Sequence, residues 1–442
     1  MKIMSDINIH LEDKRESRHF FVFLWLMYAL VYMTKNCFSG ALSAIVAEGS
    51  LTLAQTTFIS AAFYIAYTPL QILGGIFADK YSPEKMITVG LLGGAVCNTV
   101  IFFNQNYYVM LATWVFNAII QFALWPSVFK IMSSQLVRSD RGRMIFYMSF
   151  ASSGGLIMTY ITSALLPHWK YNFMVSAVVL VISAVILLIY CKHLGPIMKK
   201  DKPAEAPVLA EEKNEKKRMS TVKLFLISGF FTLLPAVLLR TMIENGTKTL
   251  SPTMLMQSYE NISASTGNLL SIFVIIAGVV GTLLVKLVIF PRIIKNEITA
   301  YLIMMVAALP FTVVLRFVGE MPVWLVILSL SMISMSLSAT HLLTQYFNML
   351  YIPYGKNGTA AGILNAAASL GMVLQYCVFG SVAQNRGWAT VTTLWIVMVL
   401  IGIAFCLATV IPAKRFKKQV EGLEEESMMG ELSDSNGAEI SR

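Results

Sequence analysis

The chain has 442 residues, 56% of them hydrophobic and only 13% charged, with a formal net charge of +10. Soluble domains of this size carry roughly 25% charged residues, so a soluble fold is excluded. Apolar runs of about 20 residues, each long enough to cross a bilayer, recur along the chain, and no alternating ten-residue pattern points to a barrel. The expected class is an all-α polytopic membrane protein whose partner is the lipid bilayer, with no role for nucleic acid.

Residues 1–19 are polar and charged without a cleavable apolar core, so an N-terminal cytoplasmic segment is expected and no signal peptide. The first span, 20–46, holds Lys35 near its middle. A central lysine costs a spanning helix about 2.5–3.5 kcal/mol on insertion scales, so it calls for a reason. Tyr28, Tyr32, Lys35 and Ser39 share one face of that helix, and Ser60, Tyr64, Tyr67 and Gln71 share one face of the second span, 53–77. The turn that follows, GGIFADKYSPEK, places Gly75, Asp79, Lys80 and Lys85 in the pattern G-x-x-x-D-R/K-x-x-x-x-R/K. The glycine permits close helix approach, and Asp79 can meet a helix N-terminus or an arginine in one state and release it in another.

Spans 86–104 and 108–135 follow, the latter with Asn117, Gln121 and Lys130, and then a basic loop, VRSDRGR, with Arg138 and Arg141. Spans 144–166, carrying Ser149, Ser152 and Ser153, and 171–191 complete a first six-helix bundle, 20–191. The segment 192–222 is charged, lacks aromatics and cannot build a core, which reads as a cytoplasmic linker. A second bundle, 223–411, holds spans 223–256, 266–289, 298–318, 322–350, 359–383 and 389–411. Arg240, Glu244 and Lys248 recur every fourth residue on one helix face. His341, Gln345 and Asn348 form a stripe on the tenth span, and Asn365 and Ser369 on the eleventh. The tail, 412–442, turns from basic to acidic and is expected to be disordered.

Lysine and arginine concentrate in alternate loops, so the positive-inside rule puts both termini and the linker in the cytoplasm. The five cysteines form no CxxC pair, and no P-loop, nucleophile or metal constellation is present. No enzyme activity, cofactor or metal is expected. Three or four buried cations against one carboxylate, Glu244, give a positive cavity that favours an anion. Tyrosine, with an apolar body and a hydroxyl, suits a sugar-like ligand.

Twelve spans split six and six, with GGIFADKYSPEK and VRSDRGR in place, resemble the major facilitator superfamily. Its known plan, two bundles around a midplane site, is the fold this resemblance implies. Within it, YALVYMTKNCFSGAL, WPSVFKIMSSQLVRSDRGR, LSPTML and GTAAGILNAAASLG are similar to the first, fourth, seventh and eleventh helices of the organophosphate:phosphate antiporters, the carriers of glycerol 3-phosphate and hexose phosphates. That family reads phosphate with an arginine in the first helix and another in the seventh. Here Lys35 stands at the first position and Glu244 at the second, with Arg240 one turn earlier, and Ser152 stands where the family has a histidine. Lysine is a point charge, not a bidentate fork, so the recognised anion stays open among sugar phosphates, sugar acids and sulfonates.

The resemblance implies a secondary transporter of a small organic anion in a bacterial cytoplasmic (inner) membrane, working as a monomer. It would act by exchange with inorganic phosphate or by proton symport through Glu244 or His341. Substrate contacts are expected from Tyr28, Tyr32, Lys35, Tyr64, Tyr67, Gln121, Lys130, Ser152, Arg240, Glu244, His341, Gln345 and Asn365. The alternative is a transporter-like membrane sensor of a phosphorylated sugar.

Overall fold

A computed structural model describes residues 9–11, 13–137, 139–194, 199–200, 220–290 and 292–440; the side chains at 9–10, 72, 75–76, 78–79, 199–200 and from 423 onward are outside that description. The first half comprises α1 (Lys14–Lys35), α2 (Cys37–Glu48), α3 (Leu53–Lys80), α4 (Pro83–Phe103), α5 (Tyr107–Gln121), α6 (Leu124–Ser134), α7 (Arg141–Met148), α8 (Ala151–Leu165) and α9 (Tyr171–Leu194). The second comprises α10 (Thr221–Ile227), α11 (Phe230–Thr249), α12 (Ser251–Ser258), α13 (Ala264–Leu284), α14 (Glu297–Val314), α15 (Val323–Met349), α16 (Asn357–Arg386) and α17 (Trp388–Ile440). Among the described residues ten helical stretches are long and apolar enough to cross a membrane, or eleven with the bent pair α10–α11. α3, with 28 residues, is long enough to be the twelfth span.

Local chemistry explains the helix ends. Asp13 caps α1 by accepting the Arg15 N–H at 2.7 Å, so the first helix begins in the polar segment ahead of the apolar run. Thr52 and Gln55 form a reciprocal capping box at the start of α3. Gly229, in the left-handed region at φ 73°, turns the chain between α10 and α11 through 72°, so the seventh span is bent where one straight run from 223 was expected. A second break follows at Leu250, before the Pro252 that opens α12.

Each half has its own apolar core: one cluster draws almost wholly on residues after 220, and two others on residues before 195. The halves meet along α3 with α16, α8 with α13, and α2 with α12 and α13. Ser43 and Thr253 hydroxyls lie 3.2 Å apart, Ser39 and Tyr376 hydroxyls 3.3 Å apart, and Asn268 Nδ2 donates to the Gly40 carbonyl at 3.0 Å. Ala54 N–H donates to Gln384 Oε1 at 2.8 Å, and the Tyr160 hydroxyl donates to the Lys248 carbonyl. These bonds sit in the parts of the spans nearer the loops after α2, α8, α12 and α16. Toward the other end, where α9 ends and α10 begins, Lys286 Nζ of the second half lies 2.9 Å from the centre of the Phe146 ring of the first. There Gly358 and Gly362 face open space, and His341, Gln345 and Asn365 are exposed although they lie within spans.

The tail corrects an expectation. α17 runs unbroken through Pro412 to Ile440 instead of ending in disorder. Residues 413–431 are mostly helix formers, and the helix is anchored by tertiary contacts. Phe416 is buried against Tyr351 and Tyr354 at ring distances of 5.3 and 5.7 Å. Lys417 Nζ donates to Glu297 Oε1 at 2.6 Å and to the Lys295 carbonyl at 2.8 Å.

The seam generates a test. A Ser43→Cys/Thr253→Cys protein is expected to form the 43–253 disulfide under mild oxidant, read by mass spectrometry of the linked peptides. A Cβ at Gly380 would collide with Thr57 across the seam, so adding Gly380→Leu is expected to lower the yield severalfold.

Candidate functional site

Lys35 is the last residue of α1. Asn36, at φ −97° and ψ 10°, interrupts the helix, and its side chain donates to the Tyr32 carbonyl at 2.8 Å. A helix C-terminus attracts cations, so the break gives the ammonium a favourable backbone field at a depth where charge is otherwise costly. Lys35 is 8% exposed and has no carboxylate partner among the described residues. Its Nζ lies 3.4 Å from the Tyr67 hydroxyl, 4.5 Å from the Tyr67 ring centre, 5.6 Å from that of Tyr32 and 5.9 Å from that of Phe63. Cation–π contacts bring about 0.5–2 kcal/mol each, against a cost of several kcal/mol for taking an ion out of water. Aromatic faces therefore hold the lysine without neutralising it.

The aromatic wall extends in both directions. Tyr28 packs edge-on to Tyr32 at 5.2 Å and against Trp125 at 5.0 Å. Tyr64 stacks on Tyr376 of α16 at 5.9 Å, with the rings 12° from parallel, which joins the two halves beside Lys35.

In the second half Glu244 is fully engaged. Arg240 Nη1 donates to Glu244 Oε2, Lys248 Nζ donates to Oε1 at 2.6 Å, and the Ser338 hydroxyl donates to Oε1 at 2.9 Å. Gly278 makes room for this cluster, since a Cβ there would meet both the Ser334 and Ser338 hydroxyls at 2.7 Å. Glu244 is thus held by its own helix neighbours, one turn before and one turn after. Arg240 is 3% exposed and its Nε has no partner. It lines a cavity of about 150 Å³ together with His341, Thr344, Gln345, Asn348 and Asn365. The His341 and Gln345 Nε2 atoms are 3.2 Å apart.

Thus Tyr28, Tyr32, Lys35, Tyr64 and Tyr67 gather in one half, and Arg240, Glu244, His341, Gln345 and Asn365 in the other. Gln121 does not join them. It is fully buried, donates to Asn117 Oδ1 at 2.7 Å, and points at Gly94 of α4, so it ties helices inside the first bundle. Lys130 is half-buried on α6 and has a partner. Ser152, half-buried, lies 3.3 Å from the Ser149 carbonyl.

Of the expected gating residues, Arg138 and the side chains of Gly75 and Asp79 lie outside the described residues. Lys80 ends α3 in the open, over the Tyr81 ring at 5.8 Å, and Lys85 is exposed in the first turn of α4. Arg141 donates to the Leu136 carbonyl at 2.7 Å and to the Ser134 carbonyl, capping the end of α6.

Sequence reasoning missed Tyr376, Ser338 and an amide pair, Asn245 Nδ2 donating to Gln375 Oε1 at 2.8 Å. Tyr376 was within reach of it: it lies seven residues beyond Ser369, on the same face as Asn365.

The two charged clusters make opposite stability predictions. Glu244→Ala leaves two buried cations unpaired and is expected to cost about 3–5 kcal/mol, seen as a fall in melting temperature. Lys35→Met removes a charge that has no counter-ion and is expected to hold or raise the melting temperature. A marked fall for Lys35→Met would show that the lysine is structural.

Comparison with known proteins follows this geometry. The family profile described as Major Facilitator Superfamily matches residues 24–376. The membrane sensor protein UhpC of Salmonella typhimurium is 27% identical over 162 residues, 36% of this chain and 37% of that protein. The phosphoglycerate transporter protein of the same organism is 27% identical over 208 residues, 45% and 44% of the two chains. The probable sulfoacetate transporter SauU of Cupriavidus necator is 25% identical over 173 residues, 38% and 40%. The chain thus matches less than half the length of each of these relatives. Among solved structures, a D-xylose-proton symporter aligns with a TM-score of 0.69 at 13% identity, over 90% of this chain and 98% of that one. A bacterial homolog of the human lysosomal transporter Spinster, in an inward-facing and occupied conformation, aligns at 0.68 and 13%, over 92% and 97%. At such identities the structures speak for the fold alone. With the profile spanning most of its length, the chain belongs to the major facilitator superfamily.

Proposed function

We propose that this protein is a secondary transporter that moves a small organic anion, a sugar phosphate or a related carboxylate or sulfonate, by alternating access. The observation that carries this reading is Lys35: a cation buried inside the spans, packed among aromatic rings, and without a carboxylate partner among the described residues. A buried charge is retained at such cost where a ligand completes it. The named substrates of the relatives, phosphoglycerate and sulfoacetate, are anions of this size class and support the same reading.

We place both termini and the linker in the cytoplasm of a bacterial inner membrane, so that the open end faces inward and the seam closes the outside. Glu244, engaged on both oxygens, supports a charge-balancing role more than a proton-carrying one, and so favours exchange with inorganic phosphate over proton symport.

The test is counterflow in proteoliposomes with labelled organic anions. Lys35→Ala is expected to lower uptake at least tenfold, and Lys35→Arg to retain part of it. Uptake unchanged in Lys35→Ala would sink the binding role. Internal phosphate is expected to drive accumulation where an imposed proton gradient does not; the reverse result would make the carrier a symporter.

The likeness to a membrane sensor, UhpC, supports a second reading, in which the chain binds the anion and reports it. Saturable ligand binding in liposomes without counterflow would select that reading.

A further inference from the structure

The two halves are not equivalent in charge, and the difference bears on what the substrate looks like. A Thr-Lys step lies in the last turn of both α1 and α11, Thr34-Lys35 and Thr247-Lys248, shortly before a break in the helix. Four residues before Lys248 stands Glu244, which accepts its ammonium; four residues before Lys35 stands Val31. The first half therefore keeps one whole uncompensated positive charge. In the second half two cations, Arg240 and Lys248, share one carboxylate, so a second positive charge remains. It emerges at a definite place. Arg240 is buried, its Nε lacks an acceptor, and it borders the cavity of about 150 Å³. Across that cavity Asn348 Oδ1 is buried and lacks a donor.

From these observations we infer that the substrate is a bis-anion: a short molecule with one anionic group for Lys35 and a second, separate one for Arg240, with a hydroxyl near the second as donor to Asn348. This rests on the anion-transporter reading and narrows it. A ligand charged at one end only answers the excess positive charge of one half alone, and so gains less from binding. A ligand charged at both ends bridges the halves, which lets binding bias their relative position.

The experiment uses the full-length protein in lipid nanodiscs and matched probes that differ in the second anionic end: 3-phosphoglycerate against glycerol 3-phosphate, and sulfoacetate against ethanesulfonate. Dissociation constants are measured by calorimetry. Each bis-anion is expected to bind at least tenfold more tightly than its partner. Lys35→Met is expected to shrink that ratio to near one. Arg240→Lys, which keeps the charge opposite Glu244 but removes the Nε donor, is expected to weaken the bis-anions at least threefold and the single-ended probes little. Equal affinities within both pairs would overturn the bis-anion inference and leave the anion-transporter reading standing. Failure of all four probes to bind would overturn both.

Discussion

A carboxylate held between two cations on one helix face sets the charge balance of this molecule. Glu244 lets Arg240 and Lys248 exist inside the second bundle, and Ser338 on a neighbouring helix fixes its position. Nothing comparable serves Lys35. Each half thus carries its own positive site among the described residues: an ammonium among aromatic rings in the first, and a partly neutralised cluster beside an amide-lined pocket in the second. Such an arrangement costs stability in the empty protein, and on the anion-transporter reading that stability is given up for binding.

The aromatic surroundings of Lys35 shape what that charge can do. A carboxylate partner would fix the lysine in place and cancel it. The faces of Tyr67, Tyr32 and Phe63 support the ammonium while leaving its charge available, and the Tyr67 hydroxyl gives a second polar group at the same spot. The stack of Tyr64 on Tyr376 makes the same wall part of the contact between the halves. On the proposed reading, ligand site and moving interface share side chains, as coupling of binding to conformational change requires.

Much of this was legible in the sequence, because lipid is a strict solvent. Apolar runs, loop charge and the rarity of ions in spans identified the helices, Lys35, and the Arg240–Glu244–Lys248 face. Helical spacing put His341, Gln345 and Asn348 on one face of the tenth span, and all three line one cavity. It failed at Gln121, because periodicity finds a polar face without saying whether that face meets the cavity or a neighbouring helix such as α4. Glu244 pairs with Arg240 and Lys248, the two cations that helical spacing offered it, because contact within one helix at four residues' distance wins over a longer reach. The helical tail escaped notice since its order comes from Phe416 and Lys417 docking on distant residues, and composition does not register that.

The hydrogen bonds of the seam between the halves use hydroxyls, two side-chain amides and backbone groups, beside apolar and aromatic contacts such as Leu156 and Tyr160 with Ile275 and Tyr64 with Tyr376, and no ion pair crosses it among the described residues. A hydrogen bond of this kind contributes about 0.5–1.5 kcal/mol net, so five of them together hold the closed end with roughly 2.5–7.5 kcal/mol. Turning a two-state balance from 1:99 to 99:1 takes about 5.5 kcal/mol, which falls within that interval. The polar part of the fastening is therefore of the order of the energy that one small bound molecule can supply, and on the transporter reading a seam held in this way can open and close with ligand binding.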